Sequence, residues 1–260
     1  MNYIGIRGHR GAGKDLISYV IGCTLNYMMV NNQAPNKSQM DSWITDIINN
    51  ENIIHEVSLK NVYFDSFGDV VKTFVALLLG CDTKYLYDDY YKDRIVIDMS
   101  TFKYQIYDTI PEDLALVDNE QLYNILMKQG SPDTAVQRYL ITLRDFILYF
   151  GQDVMKRFFG TNVWIKSLNL NGNMFENIFN DSSYKIFRDV KTSSEVTYIK
   201  NKKGIIINVY RKDSQKKKGF NNNKLLKDKR IDYQIDVPTN VYDIYDNIIE
   251  ICNNIIQNNN

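Results

Sequence analysis

Near its start the chain reads Asn2-Tyr-Ile-Gly-Ile-Arg-Gly8-His-Arg-Gly-Ala-Gly-Lys14-Asp15-Leu16. Residues 3–7 are rich in strand-forming side chains, residues 8–14 fit the pattern G-x-x-x-x-G-K, and an apolar pattern of helical period covers residues 16–30. A strand, a glycine-rich loop and a helix in this order separate a phosphate-binding loop from a chance match. The stretch therefore predicts an α/β fold with a phosphate site at the end of its first strand.

The glycines of this loop allow backbone conformations that other residues disfavour. Gly8, Gly11 and Gly13 let the chain turn tightly and approach an anion. Successive N–H groups, including that of Ala12, then form a nest for phosphate oxygens, and the positive end of the following helix adds to the field. Lys14 supplies a point charge for the terminal phosphates of a nucleotide.

Asp15 stands where a Ser or Thr usually holds Mg²⁺. A carboxylate at this position can bind the metal directly or through water. The alternative is an ordinary glycine turn that opens a helix with an acidic first turn. We favour phosphate binding because the loop follows a strand.

The composition is that of a globular protein. At 260 residues the chain can bury one sizeable core, and its 44% hydrophobic and 24% charged residues are ordinary values. A formal net charge of zero argues against a nucleic-acid partner. Three scattered cysteines and the lack of an apolar run of membrane length predict a protein of the reducing cytoplasm without a membrane partner.

Five apolar segments are predicted strands, and helical patterns separate them. The strands cover residues 3–7, 61–66, 184–189, 204–210 and 231–237. This alternation predicts the three-layer α/β fold of P-loop NTPases, with a mainly parallel five-stranded sheet in a single domain over residues 1–260. Ligands bind such sheets beyond the carboxyl ends of the strands.

Helical insertions interrupt this pattern at residues 31–58 and 81–170. Within the second insertion we expect a helix opening at Pro111, a long helix over residues 134–150 closed by Gly151, and helices over residues 152–159 and 162–169.

The segment 211–230 is rich in lysine, and it begins with Arg211 directly after a predicted strand. It could be a lid that brings cations onto a polyphosphate, a solvated loop, or a nucleic-acid patch. The sequence leaves these three interpretations open.

The predicted strand 184–189 ends in a charged pair, Arg188 and Asp189. Asp189 could join the ligand shell of Mg²⁺, or it could cap the next helix. Lys191 and Glu195 continue a D-x-K-x-x-x-E run onto that helix.

Two residues of the second insertion are also candidates. Arg144 has apolar neighbours, so it either reaches out to solvent or points into a cleft toward phosphate, and the residues alone favour solvent. Trp164 could stack on a nucleobase, although a lone tryptophan more often belongs to a core.

Three motifs together resemble the deoxynucleoside monophosphate kinases of tailed bacteriophages. The motifs are Gly13-Lys14-Asp15, Arg144-Asp-Phe-Ile-Leu-Tyr-Phe-Gly151-Gln152-Asp153 with Trp164 after it, and Asp189-Val-Lys191-Thr-Ser-Ser-Glu195. Residues 206–212 resemble the strand and basic turn that follow in that family, and residues 67–80, with Lys72, resemble its second helix. The similarity covers most of the chain apart from residues 31–58 and 96–134.

The resemblance implies transfer of the γ-phosphoryl group of ATP to a deoxynucleoside monophosphate, with Mg²⁺ as cofactor. It assigns catalysis to Lys14, Asp15, Arg144 and Lys191, and the metal to Asp15 and Asp189. It places ATP at Gly8, Gly11, Ala12, Gly13, Lys14, Asp15, Leu16 and Arg211. It places the deoxynucleotide, bound by the helical insertions, at Lys72, Arg144, Asp145, Gly151, Gln152, Trp164, Asp189, Lys191 and Glu195. For a viral protein it implies the host cytoplasm, and it leaves a homodimer open.

The chain departs from that family's pattern at three positions. Lys191 stands for arginine, and Gln152 and Leu16 each stand for threonine. These departures bear on substrate range and rate and leave the phosphate nest intact. Two alternatives stay open. One is a kinase of another small phosphorylated metabolite, since phosphomevalonate kinases also carry Asp after the loop lysine. The other is a non-enzymatic, nucleotide-dependent binding protein or a DNA-handling ATPase that uses the basic segment.

Overall fold

The computed structural model describes residues 1–9, 11–50, 53–118, 120–122, 139–160, 162–166, 183–212 and 230–258, without the side chains of Glu56 and Gln152. The chain forms two compact units. The sheet unit consists of Met1–Phe67 and Asn169–Asn260, and the second unit consists of Gly68–Leu168.

The strands of the described residues are β1 Asn2–Gly8, β2 Val62–Asp65, β3 Ile95–Asp98, β4 Lys103–Ile106, β5 Leu140–Thr142, β6 Tyr184–Phe187, β7 Ile205–Tyr210 and β8 Tyr233–Asp236. The α-helices are α1 Lys14–Asn31, α2 Lys37–Asn49, α3 Ile53–Glu56, α4 Asp69–Leu79, α5 Lys84–Tyr87, α6 Asp89–Lys92, α7 Leu143–Leu148, α8 Met155–Phe159, α9 Ser193–Asn201 and α10 Tyr245–Asn258. A π-helix, Tyr149–Val154, joins α7 to α8, and a 3₁₀ helix, Val241–Ile244, precedes α10.

The sheet unit contains a five-stranded sheet in the order β2-β6-β1-β7-β8. Every neighbouring pair of strands in it is parallel. All five strands predicted from the sequence are present, so the expected parallel α/β sheet is confirmed. β1 lies in the middle, which agrees with the burial of its residues on both faces.

Alternate side chains of a strand point to opposite faces of the sheet. Both faces of this sheet carry apolar side chains, and helices cover both. Ile4 and Ile6 of β1 pack with apolar residues of α1 and α10. On the opposite face α9 comes so close that a Cβ atom at Gly5 would lie 2.6 Å from Ile199 Cδ1. The arrangement is therefore a three-layer α/β one.

Within the first predicted insertion, residues 31–58, the structure describes the helices α2 and α3, which belong to the sheet unit. A capping box starts α2, because the Asn36 side chain accepts from the Gln39 N–H and the Gln39 side chain accepts from the Asn36 N–H. Met40 and Ile44 of α2 then join the main core. The short helix α3 follows and carries His55.

The second unit contains a three-stranded antiparallel sheet in the order β4-β3-β5. The sequence predicted only helices over residues 81–170, so this sheet corrects that prediction. The four residues of β3 are all buried. A buried apolar run this short has no period that distinguishes a strand from a helix.

The prediction of a single helix over residues 134–150 is wrong. Its first residues, 134–138, lie outside the described residues, and Leu140–Thr142 pairs with β3. The helix α7 begins only after Thr142, whose Oγ1 accepts a hydrogen bond from the Asp145 N–H at 3.1 Å.

The sequence predicted that Gly151 closes a helix. In the structure Gly151 lies inside the π-helix Tyr149–Val154. A Cβ atom at this position would lie 3.0 Å from Val71 Cγ1. Glycine therefore permits close packing against α4. The predicted helix 152–159 starts as this π-helix and continues as α8.

Pro111 opens no helix but starts a turn, in which the Leu114 N–H donates to the Pro111 carbonyl at 3.1 Å. Residues 163–166 are helical as predicted, whereas residues 167–169 and the basic segment 213–229 lie outside the described residues. Among the described helices, none combines the length and hydrophobicity that crossing a membrane requires.

Candidate functional site

Two loops leave the sheet at the same edge. The glycine loop, residues 8–14, joins β1 to α1, and the 188–192 loop joins β6 to α9. Because β1 and β6 are parallel neighbours, both loops follow the carboxyl ends of their strands. This edge is where ligands bind in parallel sheets.

The glycine loop needs glycine at three positions. Gly11 and Gly13 have φ angles of 78° and 91°, a region that side chains disfavour. At Gly8 a Cβ atom would collide with the carbonyl oxygen of Val209 on β7. The loop therefore turns as closely as the sequence pattern predicted.

The backbone of this loop and the start of α1 offer hydrogen-bond donors. Within the described residues, no acceptor bonds the N–H groups of Gly11 or Gly13. The N–H of the buried Ala12 donates to the His9 carbonyl at 3.1 Å. No side chain caps α1, which runs for 18 residues from Lys14. An uncapped helix start beside a nest of N–H groups suits an anion.

Lys14 folds back over the glycine loop. Its Nζ donates to the His9 carbonyl oxygen at 3.0 Å and lies 3.6 Å from Asp189 Oδ1. An ammonium group has three donors, and the loop carbonyl takes one of them. The structure thus holds this cation at the loop, between backbone and carboxylate.

Asp189 connects Lys14 to a second cation, because its Oδ2 lies 2.6 Å from Lys191 Nζ. Loss of hydration lowers the pKa of Lys191, but the negative charges of Asp189, Glu195 and Asp15 outweigh this effect and the pKa is raised. Lys191 is therefore charged at neutral pH. The two loops together form one cluster of charged groups at the sheet edge.

Glu195 shapes the 188–192 loop. Its Oε2 accepts hydrogen bonds from the Lys191 N–H at 2.6 Å and the Thr192 N–H at 2.8 Å, while its own N–H donates to Thr192 Oγ1. This capping box starts α9 and fixes the backbone of Lys191. The predicted contact of Glu195 with a deoxynucleotide stays a prediction.

Arg188 is a site residue that the sequence analysis missed. Its side chain is only 6% exposed, and its Nη1 lies 3.9 Å from Asp15 Oδ1. Nη1 and Nη2 also lie 3.2 Å and 3.3 Å from the two ring nitrogens of His55. The available signal was its place beside Asp189 at a strand end, but nothing local linked it to His55.

Asp15 and Asp189 are the two carboxylates of the cluster that could contribute to a magnesium site. Mg²⁺ is usually held by one or two carboxylates together with phosphate oxygens and water. Within the described ranges, no group of three or more His, Cys, Asp or Glu residues could hold a metal without a ligand.

Two other residues predicted at ATP lie at the same edge of the sheet. Leu16 is partly buried against the core and offers no ligand atom. Arg211 directly follows β7, which is the other neighbour of β1, and is partly buried.

In the second unit, Arg144 lies among acidic residues. Its Nε and Nη2 donate to the two carboxylate oxygens of Asp93, with 2.9 Å between Nη2 and Oδ2. Nη2 also lies 3.2 Å from Asp89 Oδ1. The hydrogen bond to Asp93 contributes most to raising the pKa of Arg144. The structure thus shows this guanidinium group paired with two carboxylates.

Lys72 and Asp145 are also held within the second unit. Lys72 Nζ lies 3.2 Å from Asp69 Oδ1 and 4.0 Å from the centre of the Tyr87 ring. Asp145 accepts a hydrogen bond from Thr142 Oγ1 at 2.8 Å and so helps to cap α7. The contacts that the structure shows for these two residues are structural.

Trp164 is buried in the core of the second unit, where it belongs to the same cluster as Phe146. Its Nε1 donates to the Gly151 carbonyl oxygen at 3.0 Å. Packing and this hydrogen bond are the roles that the structure shows, and stacking on a base stays a prediction. Gln152 belongs to the π-helix, and its side chain lies outside the described part of the chain.

The predicted site residues therefore fall into two sets. Lys14, Asp15, Asp189 and Lys191 form the cluster in the sheet unit, and Arg144 lies in the acidic cluster of the second unit. No protein-family model and no curated protein matches this chain.

Proposed function

We propose that this chain is an ATP- and Mg²⁺-dependent kinase that phosphorylates deoxynucleoside monophosphates. The supporting observation is the cluster at the sheet edge, which combines left-handed glycines, the uncapped start of α1, Lys14 and two carboxylates. Phosphoryl transfer depends on positioning and charge neutralisation, and these are the groups that it uses.

On the donor side, the N–H groups of the glycine loop and Lys14 bind the terminal phosphates of ATP. Lys191 brings a second cation, which the Glu195 cap holds in place. Mg²⁺ bound near Asp15 and Asp189 supplies further neutralisation of the phosphate oxygens.

On the acceptor side, we assign the monophosphate to Arg144. The planar fork of a guanidinium group matches the oxygens of a phosphate. The same fork holds Asp93, so the acceptor phosphate takes the place of that carboxylate. The acceptor oxygen is already anionic, and the reaction therefore needs no strong general base. The resemblance to the phage kinases supports a deoxynucleotide as acceptor.

The decisive experiment measures ADP formation from ATP with each deoxynucleoside and ribonucleoside monophosphate in turn. We expect ADP formation that requires a deoxynucleoside monophosphate and stops when EDTA removes Mg²⁺. Activity with another phosphorylated metabolite alone would support the first alternative. An ATPase that DNA stimulates would support the second, and a chain that binds no ATP would exclude all three.

A further inference from the structure

We propose that Tyr90, an exposed tyrosine beside the cluster of Arg144, is the platform on which the base of the acceptor nucleotide stacks. The inference rests on the proposed function, which assigns the acceptor phosphate to Arg144. It adds the part of the site that holds the base, and it gives to Tyr90 the stacking role that the sequence suggested for Trp164.

The two rings differ in how much of their surface is accessible. Trp164 is 5% exposed in the core of the second unit, and its Nε1 donates to the Gly151 carbonyl oxygen at 3.0 Å. Tyr90 is 49% exposed. A base stacks on an accessible ring face. Of these two residues, Tyr90 is therefore the one that can receive a base in this structure.

Tyr90 lies in the helix that borders Arg144. This helix, α6, contains Asp89, whose Oδ1 lies 3.2 Å from Arg144 Nη2. Asp93 directly follows α6 and accepts hydrogen bonds from the same guanidinium group. In a nucleotide a single deoxyribose separates the phosphate from the base. A ring in the residue next to Asp89 therefore lies on the scale of one nucleotide from the proposed phosphate position.

Arg94 supports the Tyr90 ring from one side. Its Cζ atom lies 3.9 Å from the centre of the ring, which is a cation–π contact. The guanidinium group is itself held by two carbonyl oxygens, because Nε donates to Asp108 at 3.0 Å and Nη1 donates to Tyr90 at 3.3 Å. The ring is thus ordered before a ligand binds, and stacking on it costs little conformational entropy.

Further contacts hold Tyr90 from the protein side. Its N–H donates to Asp88 Oδ1 at 2.7 Å, which caps α6. The Tyr91 ring stands edge-on to it, with 5.2 Å between the ring centres, and the Tyr85 ring lies 4.7 Å from that of Tyr91. Tyr85 and Tyr91 are partly buried, so Tyr90 is the exposed member of this group of three rings.

Such a platform determines which property of the acceptor is recognised. Stacking depends on the face of a base and tolerates differences in its hydrogen-bonding edge. We therefore expect the ring to contribute to the binding of all four common deoxynucleoside monophosphates. Its contribution should be larger for purines, because they cover more of the ring than pyrimidines do.

An NMR titration tests this role by comparing ligands with and without a base. The dissociation constants of the four deoxynucleoside monophosphates and of 2-deoxyribose 5-phosphate are measured for the wild type and Tyr90→Ala. We expect Tyr90→Ala to weaken nucleotide binding about tenfold, and more for purines than for pyrimidines. The affinity for 2-deoxyribose 5-phosphate should change less than about twofold, because this ligand has no base to stack.

Three further variants separate stacking from a structural role. Tyr90→Phe keeps the ring and should bind nucleotides within about twofold of the wild type. Tyr90→Leu keeps an apolar side chain without the ring, and it should lose most of the affinity that Tyr90→Ala loses. Phe158→Ala removes a ring of the same unit that is 74% exposed, and it should leave nucleotide binding unchanged. Thermal unfolding of each variant confirms that it is folded.

Equal losses for the nucleotides and for 2-deoxyribose 5-phosphate would overturn the inference, as would unchanged nucleotide binding in Tyr90→Ala. The kinase proposal fails separately. If the nucleotides bind and depend on Tyr90, but ATP is not consumed, Tyr90 keeps its role and the kinase assignment is wrong. A wild-type chain that binds none of the four nucleotides would overturn both.

Discussion

In the sheet unit one carboxylate, Asp189, is shared by two ammonium groups, those of Lys14 and Lys191. In the second unit one guanidinium group, that of Arg144, is shared by two carboxylates, those of Asp89 and Asp93. In the first cluster two cations share one carboxylate, which is the arrangement that the proposed phosphate site uses. In the second cluster an incoming phosphate must displace a carboxylate.

Exposure separates Lys191 from Arg144, although Lys14 of the first cluster is only 14% exposed. The Lys191 side chain is 63% exposed, whereas that of Arg144 is 24% exposed and held by both oxygens of Asp93. An exposed ion pair contributes little and exchanges partners easily. A bidentate arginine–carboxylate pair is geometrically specific and harder to replace. The contrast teaches that two ion pairs with similar distances can differ in how easily a ligand replaces one partner. The pair of Lys191 and Asp189 is accessible, whereas Asp93 already occupies the fork of Arg144.

The largest effect is expected from a variant that disrupts the first cluster. Lys14→Ala removes the cation at the glycine loop. We expect turnover to fall about a thousandfold, because the negative charge on the phosphate oxygens in the transition state is no longer stabilised by an ammonium group. Steady-state ADP formation measures the loss. The matched control is Lys37→Ala, which removes an exposed lysine of α2. Near wild-type phosphorylation of deoxynucleotides by Lys14→Ala would refute the proposed mechanism.

The next largest effect is expected from a variant that disrupts the second cluster. Arg144→Met removes the proposed phosphate fork, and we expect the KM for the acceptor to rise about thirtyfold. Binding of Mg²⁺–ADP should stay within about twofold of the wild type, because ADP is assigned to the other unit. Equal losses in acceptor KM and ADP affinity would contradict this separation.

A matched variant sharpens the same point. Asp93→Asn removes the negative charge that competes with phosphate for Arg144, so we expect the acceptor KM to fall about threefold. Steady-state kinetics with varied acceptor measure it. A rise in KM would instead mean that Asp93 holds Arg144 in its binding position.

A smaller effect is expected at the shared acid of the sheet unit. Asp189→Asn frees both Lys14 and Lys191, so ADP without metal should bind about threefold tighter. The gain in affinity on adding Mg²⁺ should shrink, because one of the two metal carboxylates is lost. Titration of ADP with Mg²⁺ or with EDTA distinguishes the two effects. Unchanged binding in both conditions would show that Asp189 lies outside the site.

The smallest effect is on stability in acid. Loss of hydration raises the pKa of Asp89, but Lys92 and Arg144 outweigh it and lower this pKa to about 2. An aspartate in the unfolded chain has a pKa of about 4. The ionised carboxylate therefore stabilises the fold above about pH 4, and this contribution disappears as the pH falls through about 2.

The measurement for Asp89 compares the wild type with Asp89→Asn. We expect the wild type to have the higher Tm at neutral pH, and the difference to shrink as the pH falls from about 4 to about 2. The difference should be small because the group is exposed. A gap that widens in acid would contradict the proposed pairing with Arg144.

The sequence predicted the sheet unit well for a local reason. Its strands are apolar runs separated by helical patterns, and Gly11 and Gly13 mark φ angles that other residues disfavour. Backbone conformation at such positions is encoded by the residues themselves. The five strands, the glycine loop and α1 could therefore be predicted from short windows of sequence.

The second unit was predicted less well because its elements depend on distant partners. Leu140–Thr142 continues an apolar pattern of helical appearance, yet it pairs with β3 more than 40 residues earlier in the chain. Pairing between strands at such separation leaves no mark in a single window. Gly151 was misinterpreted for the same reason, since Val71 explains it and lies in another helix.

The candidate site shows the same division. Asp189 and Lys191 could be selected from their place after a strand, but the cap made by Glu195 and the acids around Arg144 could not. Arg188 and His55 are 133 residues apart in the chain. Only the folded chain shows that an inserted helix reaches the end of β6.

By itself, the sequence determined the parallel sheet, the glycine loop at its edge and the identity of the charges that follow two strands. These features depend on side-chain period and on backbone conformations that glycine alone adopts easily. Tertiary structure decided which charges meet, namely that Lys14 shares Asp189 with Lys191 and that Arg188 stands between His55 and Asp15. The reason is that ion pairs depend on distance in space, which neighbours in sequence do not fix.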